Sequence, residues 1–220
     1  MKEKGKGMLF SGIMIIAAFA VWTILIQHAD VQPIGQNGTN VGFATLNVGF
    51  HELTGVHMTI YSITDWLGLV PIFVCMFFGG IGVLQLVQRK SLLRVDRDII
   101  FLGIYYAIVI AGYLIFEMIP LNYRPILIDG RMESSYPSST TLLVLSVMPT
   151  LVFQVNRRVK NTVFRRGISR MVVLFSIFMV IGRAVAGVHW ITDIVGAVLF
   201  SAGVFCIYKG AVLLCEKDEK

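Results

Sequence analysis

The segment GRAVAGVHWITD, Gly182 to Asp193, places an arginine, a histidine and an aspartate inside sequence that is apolar on both sides. Ionisable groups within apolar spans cost about 2.5–3.5 kcal/mol each on insertion scales, so their presence asks for a function. Four residues apart on a helix, His189 and Asp193 share a face. A carboxylate there can accept one ring N–H, fix the tautomer and leave the other nitrogen free as nucleophile or base. Arg183 precedes the histidine by six residues, about 120° away around an unbroken helix. A break near Gly187 folds it back towards the imidazole. Taken singly, each of these residues is as well explained by a tight turn between two spans; the set together is not.

A second polar cluster, NYRPILIDGRMESSYPSSTT, contains Arg124 and Arg131, a loop signal at Pro125 and Asp129–Gly130, and Ser138, Ser139, Thr140 and Thr141 ahead of an apolar helix. Such residues cap helices, and a helix start also binds anions through its free N–H groups. Beside two arginines, whose planar forks suit phosphate, the expectation is an anion site shared with His189.

These residues need a scaffold, and composition says which kind. Of 220 residues 56% are hydrophobic and 15% charged, with a mean hydropathy of +0.76, which excludes an ordinary soluble domain. Six segments approach the length that crosses a bilayer: Met8–Gln27, Leu67–Val87, Ile99–Pro120, Ser138–Val155, Met171–Val188 and Trp190–Tyr208. The expected fold is therefore all-α, a polytopic membrane protein of six spans forming one membrane-embedded domain over residues 1–220. The first span follows Lys2, Lys4 and Lys6 and reads as an uncleaved anchor.

With both termini cytoplasmic, sixteen of the nineteen Lys and Arg fall in segments 1–7, 88–98, 156–170 and 209–220, as the positive-inside rule requires. The other three are Arg124, Arg131 and Arg183, which puts the candidate site at the extracytoplasmic side of the cell membrane. Topology accounts for the net charge of +6 without nucleic acid. The cationic loop QVNRRVKNTVFRRGISR is assigned to topology as well, with contact to membrane lipids as its partner. The outer segment His28–Trp66 carries Phe43, Leu46, Phe50 and Leu53 at helical spacing, an amphipathic helix that shields the site or packs on the bundle. His51 and His57 have no metal-type company, and no metal or other cofactor is implied. Cys75, Cys206 and Cys215 suggest no disulfide framework.

In this order the pieces resemble the type 2 phosphatidic acid phosphatase superfamily, which includes undecaprenyl diphosphate phosphatases and, more distantly, vanadium haloperoxidases. Its pattern is a lysine, six residues and Arg-Pro, then PSGH, then SRxxxxxHxxxD. GRAVAGVHWITD is similar to the third block with Gly182 for serine, Arg124-Pro125 to the end of the first, and PSST, Pro137 to Thr140, to the second; the resemblance runs over about 99–208.

The resemblance implies that His189 attacks phosphorus to form a phosphohistidine and that Asp193 orients it. It also implies that Arg124, Arg183, Arg131 and the Ser138–Ser139–Thr140 segment hold the phosphoryl oxygens, the substrate being a lipid phosphate or prenyl diphosphate. Two positions depart from the pattern. Glu117 replaces the first-block lysine, and Thr140 replaces the histidine that protonates the leaving group, leaving Glu117 or Glu133 as substitute acids. Loss of a general acid costs about 10²–10⁴ in rate, so the expectation is a slow phosphatase, with a catalytically silent lipid-phosphate binder as the alternative. A small transporter is a third class, but the sequence shows no inverted repeat.

Overall fold

The computed structural model describes residues 2–215. Eight helices carry the fold: α1 (Lys2–His28), α2 (Ala44–Thr54), α3 (Met58–Leu67), α4 (Leu69–Arg89), α5 (Arg97–Met118), α6 (Ser139–Arg158), α7 (Thr162–Val185) and α8 (Ile191–Cys215). Six stretches are long and apolar enough to cross a membrane, α3 and α4 together forming one of them.

An apolar core is present, but so is an apolar exterior, unlike that of a soluble protein. Large apolar side chains point outward along α4 (Phe73, Met76, Phe77, Val83) and α7 (Met171, Leu174, Ile177, Ile181), while hydroxyls and amides turn inward. Without a hydrophobic driving force between them, helices in lipid associate through packing and interhelical hydrogen bonds worth about 0.6 kcal/mol each. One face of α6 supplies a ladder of these. Ser146 donates to Ser201 on α8 at 3.0 Å, Thr150 meets the Tyr106 hydroxyl of α5 at 2.7 Å, and Gln154 donates to the Tyr208 hydroxyl of α8 at 3.0 Å. At the end of the ladder Arg158 bridges Asp98 at 2.7 Å and Asp96 at 3.3 Å, and Arg89 reaches Asp96 at 2.7 Å, tying α4, α5 and α6 together.

Two elements differ from the sequence reading. The second span begins at Met58 rather than Leu67, because α3 and α4 follow one another with a break at Gly68. The run MTIYSITDWL is too polar to register as membrane-spanning by hydropathy, and it becomes helical by packing Thr64 against α7. Secondly, α2 is indeed amphipathic, but its inward anchor is polar: buried Asn47 donates to Thr192 Oγ1 on α8 at 3.0 Å. Leu46 and Leu53 stay exposed on its other side, and Phe43 precedes the helix, stacked on Trp22 of α1 at 5.0 Å. Cys75, Cys206 and Cys215 are free thiols.

Candidate active site

The segment between α5 and α6 forms a narrow ribbon. Tyr123 pairs with Ser134 and Ile128 with Arg131, and the chain reverses through Asp129 and Gly130, both at positive φ. One arm carries Asn122 and Arg124; the other carries Glu133, Ser134 and Ser135. The ribbon is pinned by Tyr136, whose hydroxyl meets Thr23 on α1 at 2.7 Å and whose ring lies against Gly196 of α8. Ser138 N then donates to the Asp193 carbonyl at 3.2 Å, locking the start of α6 to the start of α8.

His189 and Asp193 are not on one helix. α7 ends at Val185, the chain turns through Gly187 at φ 69, and α8 begins only at Ile191. A side chain on Gly187 is excluded twice, by the left-handed backbone and by the Gly55 carbonyl, which a Cβ would approach to 2.0 Å. Asp193, in the first turn of α8, accepts the Trp190 N–H at 2.9 Å, the reciprocal half of a helix cap. Trp190 Nε1 in turn donates to the Tyr123 carbonyl at 2.9 Å, so the turn and the ribbon hold each other.

The imidazole lies where these pieces meet. His189 Nδ1 is 3.1 Å from the Ser135 carbonyl, an acceptor, which fixes the ring proton on Nδ1 and leaves a lone pair on Nε2. Ser135 Oγ is also 3.1 Å from Nδ1, and its own proton goes to Asp193 Oδ2 at 2.5 Å. Asn122 Nδ2 donates to the other carboxylate oxygen at 3.4 Å. The acid thus acts on the ring through a serine. Nε2 faces Arg183 Nη2 at 3.3 Å. Burial, then the Arg124 and Arg183 cations, holds this loop imidazole well below its usual 6.5, so it is neutral at physiological pH.

Two guanidinium groups come within range of the ring. Arg183, at 0% exposure, donates to Thr64 Oγ1 at 3.5 Å, lies 3.7 Å from Asp65 Oδ1 and stacks over Tyr61 at 4.9 Å. Arg124, at 8% exposure, pairs with Glu133 at 3.1 Å and approaches the same Tyr61 ring at 5.8 Å. Each keeps one buried nitrogen, Arg124 Nη1 and Arg183 Nε, with no hydrogen-bond partner among the described residues. A buried unmet donor costs about 1–3 kcal/mol, and more when charged. Both belong to the arginines that lower the imidazole's proton affinity, and Arg183 also touches it through Nη2.

The remaining residues singled out by the sequence are placed as follows. Ser139 and Thr140 line a cavity of about 350 Å³ with Asp65, Leu69, Ile110 and Tyr113, open between α4 and α5. Ser138 is fully buried and donates its hydroxyl to Thr141 at 3.1 Å. Glu117 is exposed in the last turn of α5, facing a crevice shared with Ser134 and Ser139. Arg131 is exposed beside the turn of the ribbon.

Five residues of the site were not singled out: Ser135, Asn122, Tyr61, Thr64 and Asp65. The last three had a signal, since Tyr61, Thr64 and Asp65 fall at i, i+3 and i+4 and share one helix face.

With this geometry established, comparison with known proteins gives a consistent answer. The family model described as PAP2 superfamily matches residues 101–214, more than half of the chain. The fold resembles the crystal structure of a transmembrane PAP2 type phosphatidylglycerolphosphate phosphatase from Bacillus subtilis, with a TM-score of 0.67 and 13% identity over 94% of this chain and 98% of that one. No curated protein matches the sequence. The chain is a six-span membrane protein and belongs to the PAP2 superfamily. Membership supports lipid phosphate hydrolysis in general terms.

Proposed function

We propose that the chain hydrolyses a lipid phosphate or a prenyl diphosphate through a phosphohistidine on His189. The observation that carries this reading is the neutral Nε2 lone pair 3.3 Å from Arg183, flanked by two buried guanidiniums that each retain an unmet N–H. A phosphoryl group bound to Arg124 and Arg183 takes over the donor that Nε2 now faces and presents phosphorus to the lone pair. The Nε2–P bond forms as the bond from phosphorus to the leaving oxygen breaks. The positive charge gained by the ring is met at Nδ1–H by Ser135 and, through it, by Asp193. Water then attacks the phosphohistidine, the Nε2–P bond breaks and inorganic phosphate leaves. The arginines stabilise charge on the equatorial oxygens in both steps.

The leaving group decides how fast this runs. Thr140 lines the cavity at the family's histidine position and cannot donate a proton near neutrality, so departure of an alkoxide is disfavoured. A phosphate monoester leaves without that help, which favours a prenyl diphosphate over phosphatidate. The distribution of Lys and Arg supports an active site on the extracytoplasmic side.

Thr140 and Glu117 also motivate a second reading, a silent member that holds lipid phosphate without turnover. Purified protein decides between them. Inorganic phosphate release from undecaprenyl diphosphate and from phosphatidate is measured for wild type, His189→Ala and Thr140→His. Turnover of the diphosphate by wild type, abolished in His189→Ala, supports the phosphatase. Equal inertness of the two, with lipid phosphate still bound, establishes the binder.

A further inference from the structure

The end of α7 farthest from Arg183 holds a second concentration of positive charge. Thr162, Arg165, Arg166, Ser169 and Arg170 recur at i, i+3, i+4, i+7 and i+8, which aligns them along one side of the helix. Together with Asn156 from the end of α6 they line a cleft of about 320 Å³, within the size range of small-ligand pockets.

Positive-inside topology accounts for the presence of cations here, but not for their convergence on one concavity. Nor, among the described residues, do Arg165, Arg166 and Arg170 meet a carboxylate. No Asp or Glu occurs between residues 156 and 170. Asp96 and Asp98 at the start of α5 are already shared among Arg89, Arg157 and Arg158. Arg165 is instead oriented by a neutral partner, donating Nε to Asn156 Oδ1 at 2.9 Å. Arg166 and Arg170 have no ion pair among the described residues.

Depth favours a particular source of anion. Beyond Arg170 the same helix turns apolar, with Met171, Leu174, Ile177 and Phe178 exposed as a lipid-facing wall. Val163 and Phe164, exposed at 76% and 52%, flank the arginines on the other side. The cleft therefore lies where the hydrocarbon region ends and headgroups begin, and basic pockets between spans at that level suit phospholipid headgroups.

From this we infer that Arg165, Arg166, Arg170 and Asn156 form a binding site for the phosphate group of an anionic phospholipid. The site lies at the opposite membrane face from His189 and is independent of the chemistry there. Guanidinium forks from successive turns give bidentate contacts that lysines cannot reproduce.

The test uses the full chain in nanodiscs and by native mass spectrometry, with phosphatidylglycerol or phosphatidate compared against phosphatidylcholine. Wild type, the triple Lys variant (R165K/R166K/R170K) and the triple Gln variant are measured. The His189 site is common to all three, so differences report the cleft. The Gln variant is expected to lose anionic-lipid retention by about fivefold per arginine removed. The Lys variant keeps the charge, and hence the insertion topology, yet loses at least half of that retention. If a triple variant fails to run as one species on gel filtration, single R166K and R170K, both at exposed positions, carry the comparison. Lys variants indistinguishable from wild type would overturn the site in favour of diffuse charge. In a parallel arm inorganic phosphate is titrated in phosphatidylcholine discs into wild type and the triple Gln variant, which share the His189 site; a loss of phosphate occupancy in the Gln variant as large as its loss of lipid retention would overturn the lipid assignment.

Discussion

Asp193 and His189 meet at the Ser135 hydroxyl, which donates to Asp193 Oδ2 at 2.5 Å and lies 3.1 Å from His189 Nδ1. The carboxylate thereby has two tasks, since Oδ2 also accepts the Trp190 N–H that starts α8. The two can be separated by mutation. Ser135→Ala leaves the backbone carbonyl to hold Nδ1–H, so turnover should fall only about tenfold. Asp193→Asn removes the charge that would stabilise the imidazolium and should cost more than Ser135→Ala, though less than the roughly 10⁴ seen where the carboxylate also sets the tautomer. Measuring kcat for both, an Asp193→Asn loss no larger than that of Ser135→Ala would show that the carboxylate serves only the helix start.

Acid should inactivate the protein late. A lowered His189 pKa means that the proposed nucleophile remains unprotonated as pH falls through 6.5, and the acid limb of kcat/KM, which reports the free enzyme, should lie below that value. The unfolded chain takes up its proton near 6.5 and the folded one at lower pH, so the folded state loses stability as pH falls below 6.5 towards the folded pKa. An acid limb centred at or above 6.5 would contradict the geometry.

Restoring the missing acid should depend on the substrate. Thr140→His places an imidazole on the wall of the cavity lined by Asp65 and Tyr113. Phosphate release from phosphatidate should rise by about 10²–10⁴, the usual worth of a general acid, while release from a prenyl diphosphate changes little. Equal gains on both would argue that the histidine acts by binding rather than by protonating.

Gly187→Ala should damage both fold and site. Left-handed backbone costs an alanine about 1–2 kcal/mol, and its Cβ would press on the Gly55 carbonyl. The expected outcome is a lowered Tm together with a fall in kcat, because Arg183 and His189 are brought together across this turn. Val185→Ala, four residues from His189 and without either conflict, serves as the control and should change both only slightly.

The sequence was most readable where chemistry and spacing coincide. Arg183 and His189 stood out because charge is costly in a span, and Gly187 marked the place where the chain had to reverse. The shared helix face of His189 and Asp193 was the wrong geometry, since the cap at Trp190 delays α8 until Ile191 and leaves the histidine in the turn. Ser135 was invisible for another reason: ESSYPSSTT offers four serines of equal standing, and which of them turns inward depends on the pinning of Tyr136 between α1 and α8. Among the spans, α5 and α6 were within three residues of the expected positions, whereas α7 begins nine residues before Met171 and α8 runs seven beyond Tyr208. α3 was missed because Thr64 and Asp65 lower its hydropathy while serving as contacts for Arg183.

The wall that α3 builds around Arg183 lies outside residues 101–214, the stretch matched by the family model. Chemistry and its enclosure are thus written in separate halves of the gene product. Exchanging the amino-terminal hundred residues with those of a relative should retune which lipid is accepted while leaving the reaction itself unchanged, a modularity that a single contiguous motif could not provide.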